Sequence, residues 1–392
     1  MTSVSETTER TRPPFWRDLA VLRVAAQVAA VVLAALVLVY LGNNLVTNTR
    51  AQGITLGFDF LDQPLGVDIQ LSPITASNTI LQGLIRGWIN TLALVIVGLP
   101  LLTVLGVVVG VARLSSNWLV AKLAALYVEI VRNIPPLLII LFVHNVVILG
   151  LPPKNEPASP LGWFSISNFV IAGPWFDASD GAGAFWTAVA VAAVAAVFVW
   201  RRRTKVNEAT GEPHHRVAYS LGLVVLVGVI AFFVLGRPLS WSLPVFKDRL
   251  VTGGIQGLGQ YFSMLLALVV YTASHVAEIV RGSIQAVPKG QSEAANALAL
   301  SGFQRLRFVT LPQAARIAVP PIISQYLNYT KNTSLAIGVA YAEVTLIAFQ
   351  AIGNGQPAPQ LILLLMVGYL IFSLTISFVL NIVNRRMQLV SR

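Results

Sequence analysis

Residues 287–314 have the sequence VPKGQSEAANALALSGFQRLRFVTLPQA and lie between two long apolar runs. Pro288 lacks a backbone N–H, so we expect the preceding helix to stop there. Residues 293–300 are rich in strong helix formers, which predicts a short helix. One side of that helix forms a small apolar face that could enter a partner's groove. The residues of this face are Ala294, Ala297, Leu298 and Ala299.

The second half of the stretch predicts another short helix. Ser301 followed by Gln304 fits a capping box, and the helix is expected to cover residues 303–310 and to end before Pro312. Two short helices joined by a turn form an elbow between two membrane helices. Such an elbow can transmit motion, but an ordinary amphipathic surface loop is equally consistent with the spacing.

Composition on both sides of the elbow indicates a membrane protein. Of the 392 residues, 56% are hydrophobic and 11% are charged, whereas soluble domains carry about 25% charged residues. Runs close to the roughly 20 residues that cross a bilayer predict an all-α membrane protein with about eight transmembrane helices. The runs are about 24–41, 88–112, 119–149, 184–200, 217–235, 257–280, 315–349 and 360–383. The third and seventh contain interruptions, at 133–136, at Pro320 with Pro321, and at 331–334.

The distribution of basic residues predicts the orientation. One set of alternate segments holds 20 of the 27 Lys and Arg residues, the opposite set holds 6, and Lys331 lies within a helix. The positive-inside rule then places both termini in the cytoplasm. We divide the chain into 1–86 (cytoplasmic N-terminus, first helix and periplasmic segment), a core at 87–385 and a cytoplasmic tail at 386–392. The net charge of +11 is explained by topology, and we expect no nucleic-acid partner.

The seventh run contains a polar segment that is a candidate substrate path. Polar groups at membrane depth are costly and are therefore functional candidates. Amides and hydroxyls together provide donors and acceptors for a polar solute, while hydrogen bonding between helices is the alternative interpretation. The candidates are Gln325, Asn328, Lys331, Asn332, Thr333 and Ser334.

Three shorter patterns predict local contacts. Glu129 with Arg132, and Glu278 with Arg281, have the i, i+3 spacing of ion pairs on one helix face. Gly106 and Gly110 form a Gly-x-x-x-Gly pattern that allows close helix approach, although such patterns often arise by chance.

The chain resembles the permease subunits of binding-protein-dependent ABC importers, in particular their polar and general L-amino-acid branch. The elbow looks like the family's Glu-Ala-Ala coupling loop, and similar stretches occur in order over about residues 87–385. These stretches are residues 113–118 (RLSSNW), 127–136 (YVEIVRNIPP), 277–282 (AEIVRG) and 320–336 (PPIISQYLNYTKNTSLA).

The resemblance implies a type I importer permease core that is not an enzyme. It would assemble with a second related permease, a heterodimer being favoured, with two cytoplasmic ATP-binding subunits and with a periplasmic amino-acid-binding protein. It also implies a bacterial inner-membrane location, lipid contact and an amino-acid substrate. The residues that it places at the ATPase contact are Glu293, Ala294, Ala295, Ala299, Ser301, Gly302, Leu311 and Pro312.

Two departures from the family pattern stand out. Where the family usually has Gly, six residues after the motif's Glu, this chain has Ala299, and we expect Gly302 to supply the turn instead. The apolar pair at about 184–235 is an insertion that resembles the longer general L-amino-acid permeases.

Several sequence motifs are absent, and their absence excludes some classes of function. The sequence contains no P-loop motif, so another subunit must hydrolyse ATP. With no cysteine and no visible acid–base or metal constellation, we expect neither a cofactor nor a metal. The remaining alternative is a self-contained secondary transporter or channel, which would need coupling-ion ligands inside the membrane.

Overall fold

The computed structural model describes residues 14, 16–51, 53, 57–69, 72–211, 215–247 and 250–387. Within these ranges the chain is mainly helical, with a layer of short strands at one end. The α-helices are α1 (Leu19–Ala51), α2 (Ile80–Ala112), α3 (Trp118–Arg132), α4 (Pro136–Phe142), α5 (Ala182–Thr210), α6 (Arg216–Val234), α7 (Gly259–Gln285), α8 (Lys289–Ala297), α9 (Gly302–Arg305), α10 (Leu311–Asn332), α11 (Val344–Gly353) and α12 (Ala358–Met387).

Six of the described helices are long and apolar enough to cross a membrane, namely α1, α2, α5, α6, α7 and α12. Two bent pairs bring the number of spans to eight. In the first, α3 is followed by the segment Pro136–Ile148 at an angle of 106°. In the second, the continuous helical segment Gly302–Val339 meets α11 at 47°. The predicted all-α membrane fold with about eight spans is confirmed.

The two predicted breaks had different outcomes. The break at 133–136 is confirmed, since α3 ends at Arg132 and α4 begins at Pro136. The interruption at Pro320 and Pro321 is wrong because α10 runs through both residues. Proline is tolerated inside membrane helices where neighbouring groups satisfy the freed carbonyls. The real bend lies at residues 340–343, beyond a 3₁₀ stretch, Thr333–Val339, that begins within the predicted polar interruption.

Helix α2 is the centre of the bundle because it approaches α7, α10 and α11 closely at glycines. A methyl group added at Gly87 would lie 2.6 Å from the Cα of Val344 in α11. At Gly98 it would overlap the Tyr329 hydroxyl of α10, and at Gly106 and Gly110 it would meet the Val276 side chain and the Ala277 carbonyl of α7. The Gly-x-x-x-Gly pattern therefore marks a real close approach.

The strand layer defines one end of the bundle, which we call the strand end. The segments that connect the helices at this end form small antiparallel sheets because their Val, Ile and aromatic side chains favour strand pairing. Strand β2 (Val170–Gly173) pairs with β1 (Ser165–Ile166) and β7 (Ile255–Leu258). The other pairs are β3 (Trp175–Ala178) with β4 (Leu239–Ser242), and β5 (Val245–Lys247) with β6 (Leu250–Thr252). Helix α7 leads from this layer to α8 at the opposite end, which we call the elbow end.

Helices α5 and α6 occupy the positions of the two apolar runs expected at about 184–235. They pack chiefly against each other, with Ala192 and Ala196 of α5 buried in the contact and Ser220 of α6 donating a hydrogen bond to the Ala196 carbonyl at 3.1 Å. Strands β3 and β4 join the two helices at the strand end. The pair is a hairpin whose sides expose large apolar residues suited to lipid contact.

We predict that Gly98→Ala destabilises the bundle. The added methyl group would collide with Tyr329, and overpacking of this kind costs about 1–3 kcal/mol. The measurement is the thermal unfolding midpoint in detergent. Gly222→Ala in α6 is the matched control because nothing lies within 4 Å of a methyl group there. Equal midpoints for both variants and the wild type would show that the α2–α10 contact is not tight.

We also predict that Ser159 and Glu208 lie on opposite sides of the membrane. Both are exposed, and the length of α5 separates the strand end, near Ser159, from Glu208 at the elbow end. In this cysteine-free chain, Ser159→Cys should react with an impermeant thiol reagent only from outside the cell and Glu208→Cys only from inside. Labelling of both from one side would contradict the eight-span arrangement.

Candidate functional site

The elbow begins with α8, which covers Lys289–Ala297 and follows Pro288 at its N-cap. The predicted start at residue 293 was too late, because the first turn also takes in the Lys-Gly-Gln-Ser segment. Ala295 is buried at 2% exposure, whereas Leu298 is 74% exposed. Glu293 is exposed and forms no hydrogen bond or ion pair with the described residues. The outer face of α8 therefore presents a carboxylate and an apolar side chain to solvent.

The turn after α8 is made by Ala299 itself. Its φ is 56°, in the left-handed region. The N–H of Leu300 donates to the Ala295 carbonyl at 3.1 Å and that of Ala299 to the Asn296 carbonyl at 2.9 Å, which together form a Schellman motif. The expectation that Gly302 supplies the turn is wrong, since Gly302 is the first residue of α9.

The capping box is confirmed, but the end of the second elbow helix is not where it was predicted. The Ser301 N–H donates to the Gln304 side chain at 2.9 Å, and the Gln304 N–H donates to the Ser301 hydroxyl at 3.3 Å. The helix then continues through a π-helical turn, Leu306–Thr310, directly into α10. Pro312 lies in the first turn of α10 instead of ending a helix, because a changed hydrogen-bond pattern just before it accommodates the missing N–H.

Two side-chain hydrogen bonds tie α8 to the α9–α10 segment. The Arg305 guanidinium donates to the Asn296 side chain at 2.9 Å. The Gln313 amide donates to the Gln291 side chain at 3.1 Å. These two bonds connect α8 to the segment before α10 and to the first turn of α10.

The candidate substrate-path residues separate into two groups. Gln325, Asn328, Lys331 and Asn332 are at least partly exposed, and their side chains form no hydrogen bond with the described residues. Thr333 differs, because it is fully buried and its hydroxyl donates to the Thr330 carbonyl at 2.7 Å. The Ser334 hydroxyl donates to the Lys331 carbonyl at 2.8 Å. The polar face of α10 therefore consists of Gln325, Asn328, Lys331 and Asn332. Thr333 does not belong to it.

Two tyrosines beside the polar face fix α10 to α2. The Tyr329 hydroxyl donates to the Leu94 carbonyl at 3.0 Å, and the Tyr326 and Thr103 hydroxyls lie 2.5 Å apart. Tyr329 is fully buried. The polar face next to this contact is at least partly exposed, and polar groups at membrane depth require a partner or a water-filled space.

A charged cluster at the elbow end was only partly predicted. Arg281 pairs with Glu278 as expected, and Arg113 at the end of α2 also pairs with Glu278. The expected Glu129–Arg132 pair is wrong, since the Arg132 guanidinium lies 3.7 Å from the Glu278 carboxylate instead. One carboxylate thus joins the ends of α2, α3 and α7. Arg113, Arg132 and Glu278 border a cavity of about 370 Å³.

Two further features were missed at the strand end. Glu343 is fully buried at the start of α11, where its carboxylate accepts hydrogen bonds from the Leu346 N–H and the Tyr369 hydroxyl, each at 3.0 Å. The sequence does show this acidic residue inside a predicted span, and an acid in such a position is a functional candidate. Nearby is a mostly apolar cavity of about 860 Å³ whose charged lining residue is Arg86. A guanidinium at such a mouth is suited to carboxylate recognition.

Among the described residues, no group of three or more His, Asp or Glu side chains is arranged to hold a metal ion. The site therefore consists of an exposed elbow, a helix whose polar face has no partner among the described residues, and an ion-paired cluster between helix ends. In an eight-span bundle these features define a membrane transport component.

A family model described as a binding-protein-dependent transport system inner membrane component matches residues 219–389. General L-amino acid transport system permease protein AapQ of Rhizobium johnstonii is 38% identical, over 90% of this chain and 89% of AapQ. Putative amino-acid ABC transporter permease protein YhdX of Escherichia coli is also 38% identical, over 93% of this chain and 94% of YhdX. BztB of Rhodobacter capsulatus, a glutamate/glutamine/aspartate/asparagine transport system permease protein, is 38% identical over 94% of each chain.

The chain therefore belongs to the family of binding-protein-dependent ABC transporter permeases of the inner membrane. It is a multi-pass transport component and not an enzyme.

We predict that Ala299→Gly slows amide hydrogen exchange at Leu300. An L-residue in the left-handed region costs roughly 1–2 kcal/mol. Glycine removes that cost but loses about 0.5–1 kcal/mol more backbone entropy on folding than alanine, so the net gain of about 0.5–1 kcal/mol corresponds to roughly two- to fivefold slower opening. Ala297→Gly is the matched control, because it places glycine inside α8 and should accelerate the same exchange. Faster or unchanged exchange in Ala299→Gly would contradict the left-handed turn.

Proposed function

We propose that this chain forms half of the translocation pathway of an ATP-driven, binding-protein-dependent importer of L-amino acids. The observation that carries the proposal is the attachment of the exposed elbow helix α8 to α10, the helix that bears the polar face. The names of the three relatives support an amino-acid substrate. The proposal places the elbow end in the cytoplasm and the strand end outside.

Coupling starts at the exposed face of α8. Two cytoplasmic ATP-binding subunits close on ATP and move α8, with Glu293 offered to a donor on the ATPase and Leu298 to an apolar groove. Through Arg305 and Gln313 the motion reaches the base of α10. The other residues of the proposed contact complete this transmission. Ala295 and Ala299 shape the elbow, and the rest lie along it, namely Ala294, Ser301, Gly302, Leu311 and Pro312.

A second, related permease chain completes the pathway, and we favour a heterodimer. Gln325, Asn328, Lys331 and Asn332 lack partners within the described part of this chain, so a pathway against the second chain would supply water, substrate or partner side chains. A periplasmic amino-acid-binding protein would deliver substrate at the strand end, beside the cavity that Arg86 lines. Thr333 and Ser334 would support the helix instead of contacting substrate.

The polar face fits a zwitterionic substrate. An amino acid presents an ammonium group that needs acceptors and a carboxylate that needs donors, and the amides of Gln325, Asn328 and Asn332 supply both. Lys331 adds a donor with positive charge. A secondary transporter would instead need a free intramembrane carboxylate for its coupling ion. Both oxygens of Glu343 accept hydrogen bonds, which suits a structural role.

We predict that Asn332→Asp shifts substrate preference toward cationic amino acids. An ammonium–carboxylate attraction at about 4 Å is worth about 1 kcal/mol even in a water-like dielectric and more in a drier site, so the ratio of arginine-stimulated to neutral amino-acid-stimulated ATPase activity should rise at least roughly fivefold. The measurement uses the complete reconstituted complex. Asn354→Asp, at the end of α11 away from the polar face, is the control and should leave the ratio unchanged.

We predict that Glu293→Ala lowers the amount of substrate transported per ATP without changing that ratio. The carboxylate acts at the ATPase contact and not in the pathway. Glu156→Ala, an exposed carboxylate at the strand end, should transport normally. If Glu293→Ala alters the substrate ratio while Asn332→Asp does not, the two sites have been assigned the wrong way round.

A further inference from the structure

The elbow end of the α5–α6 hairpin carries a dense group of basic side chains that the transport proposal does not use. Its members are Arg201, Arg202, Arg203, Lys205 and Arg216. None of them forms a salt bridge with the part of the chain that the structure describes. Five uncompensated cations so close together repel each other, and an anionic ligand would relieve that repulsion.

Two of these cations are held in place by aromatic rings. The Arg203 guanidinium lies 3.9 Å from the centre of the Tyr219 ring, and that of Arg216 lies 4.9 Å from the Trp200 ring. Arg216 also donates to the Thr204 hydroxyl at 3.3 Å. Stacking fixes the guanidinium planes while leaving donors free at their edges, which is the arrangement that recognises a phosphate.

Two cavities open beside these groups. One, of about 430 Å³, is bordered by Arg202, Arg203 and Tyr219. The other, of about 880 Å³, is bordered by Arg201, Arg202, Lys205 and Arg216, and Glu208 is the acidic residue among its described lining. Arg202 borders both, so the two cavities lie next to each other.

The surroundings of the cavities favour lipid over an acidic protein segment. Phe198 is 65% exposed and Val197 51% exposed, and both border the larger cavity. These apolar side chains continue from the basic groups along the side of α5, as an acyl chain continues from a headgroup. Trp200 and Tyr219 stand beside the basic group, and such aromatic residues are enriched in membrane proteins between the headgroups and the hydrocarbon.

We propose that the elbow end of the α5–α6 hairpin is a binding site for anionic phospholipids, with a headgroup phosphate in each of the two cavities. Arg202 contacts both phosphates, Arg203 holds one, and Arg201, Lys205 and Arg216 hold the other. The inserted hairpin thereby anchors the permease to anionic lipid at this end of the bundle. The site is separate from the elbow and from the polar face of α10.

The test is native mass spectrometry of the full chain, purified in detergent with its co-expressed partner subunits and titrated with phosphatidylglycerol or phosphatidylethanolamine. Each basic residue near an anionic lipid contributes about fivefold in affinity. Arg202→Gln with Arg203→Gln should therefore weaken phosphatidylglycerol binding roughly 25-fold. Lys122→Gln with Arg385→Gln removes the same charge from exposed positions outside the hairpin and should change binding less than about threefold.

A charge-retaining variant separates binding from folding. Arg202→Lys with Arg203→Lys should keep most of the affinity, and the wild type should prefer phosphatidylglycerol to phosphatidylethanolamine at least about tenfold. If the glutamine variant does not fold, that preference of the wild type and its persistence in the lysine variant decide the question. Equal binding of the two lipids, or equal losses in the glutamine and control pairs, would overturn the proposal. Loss of a protein subunit with unchanged lipid binding would identify a protein interface instead.

Discussion

The structure depends on the close packing of α2 against α7, α10 and α11 through glycines. Between membrane helices there is no hydrophobic driving force beyond that for lipid, so association rests on van der Waals contact and hydrogen bonds. The absence of side chains at Gly87, Gly98, Gly106 and Gly110 brings three helices against one. Everything else in the core, including the orientation of the polar face, is positioned relative to α2.

This packing gives α10 two differently constrained faces. On one side the hydroxyls of Tyr326 and Tyr329 fasten it to α2, and at its base Arg305 and Gln313 fasten it to the elbow. Its remaining face carries polar groups without partners in the described chain. In the proposed mechanism, a helix held in this way turns or tilts as a unit when the elbow moves, which changes the accessibility of the substrate path.

Local signals in the sequence predicted much of this arrangement. Hydrophobic runs predicted eight spans, Pro135 and Pro136 predicted the break between α3 and α4, and Ser301 with Gln304 predicted a helix start. Features that depend on contacts between distant parts of the chain could not be predicted from the sequence. One example is the ion pair of Glu278 with Arg113, which joins positions 165 residues apart. Ala299 adopts the left-handed backbone conformation, which alanine disfavours. The hydrogen bonds of the turn around it offset that cost. The helix continues through Pro312 because a π-helical turn precedes it, and no residue spacing in the sequence predicts such a turn.

The central claim is that transport is powered by ATP hydrolysis in a partner subunit and transmitted through the elbow. The most direct measurement is uptake of a labelled amino acid into proteoliposomes that contain this chain, its permease partner and the binding protein, with and without the ATPase subunits. The account predicts uptake only when the ATPase subunits and ATP are present, regardless of the ion gradient. Uptake driven by a proton or sodium gradient in the absence of the ATPase subunits would contradict it.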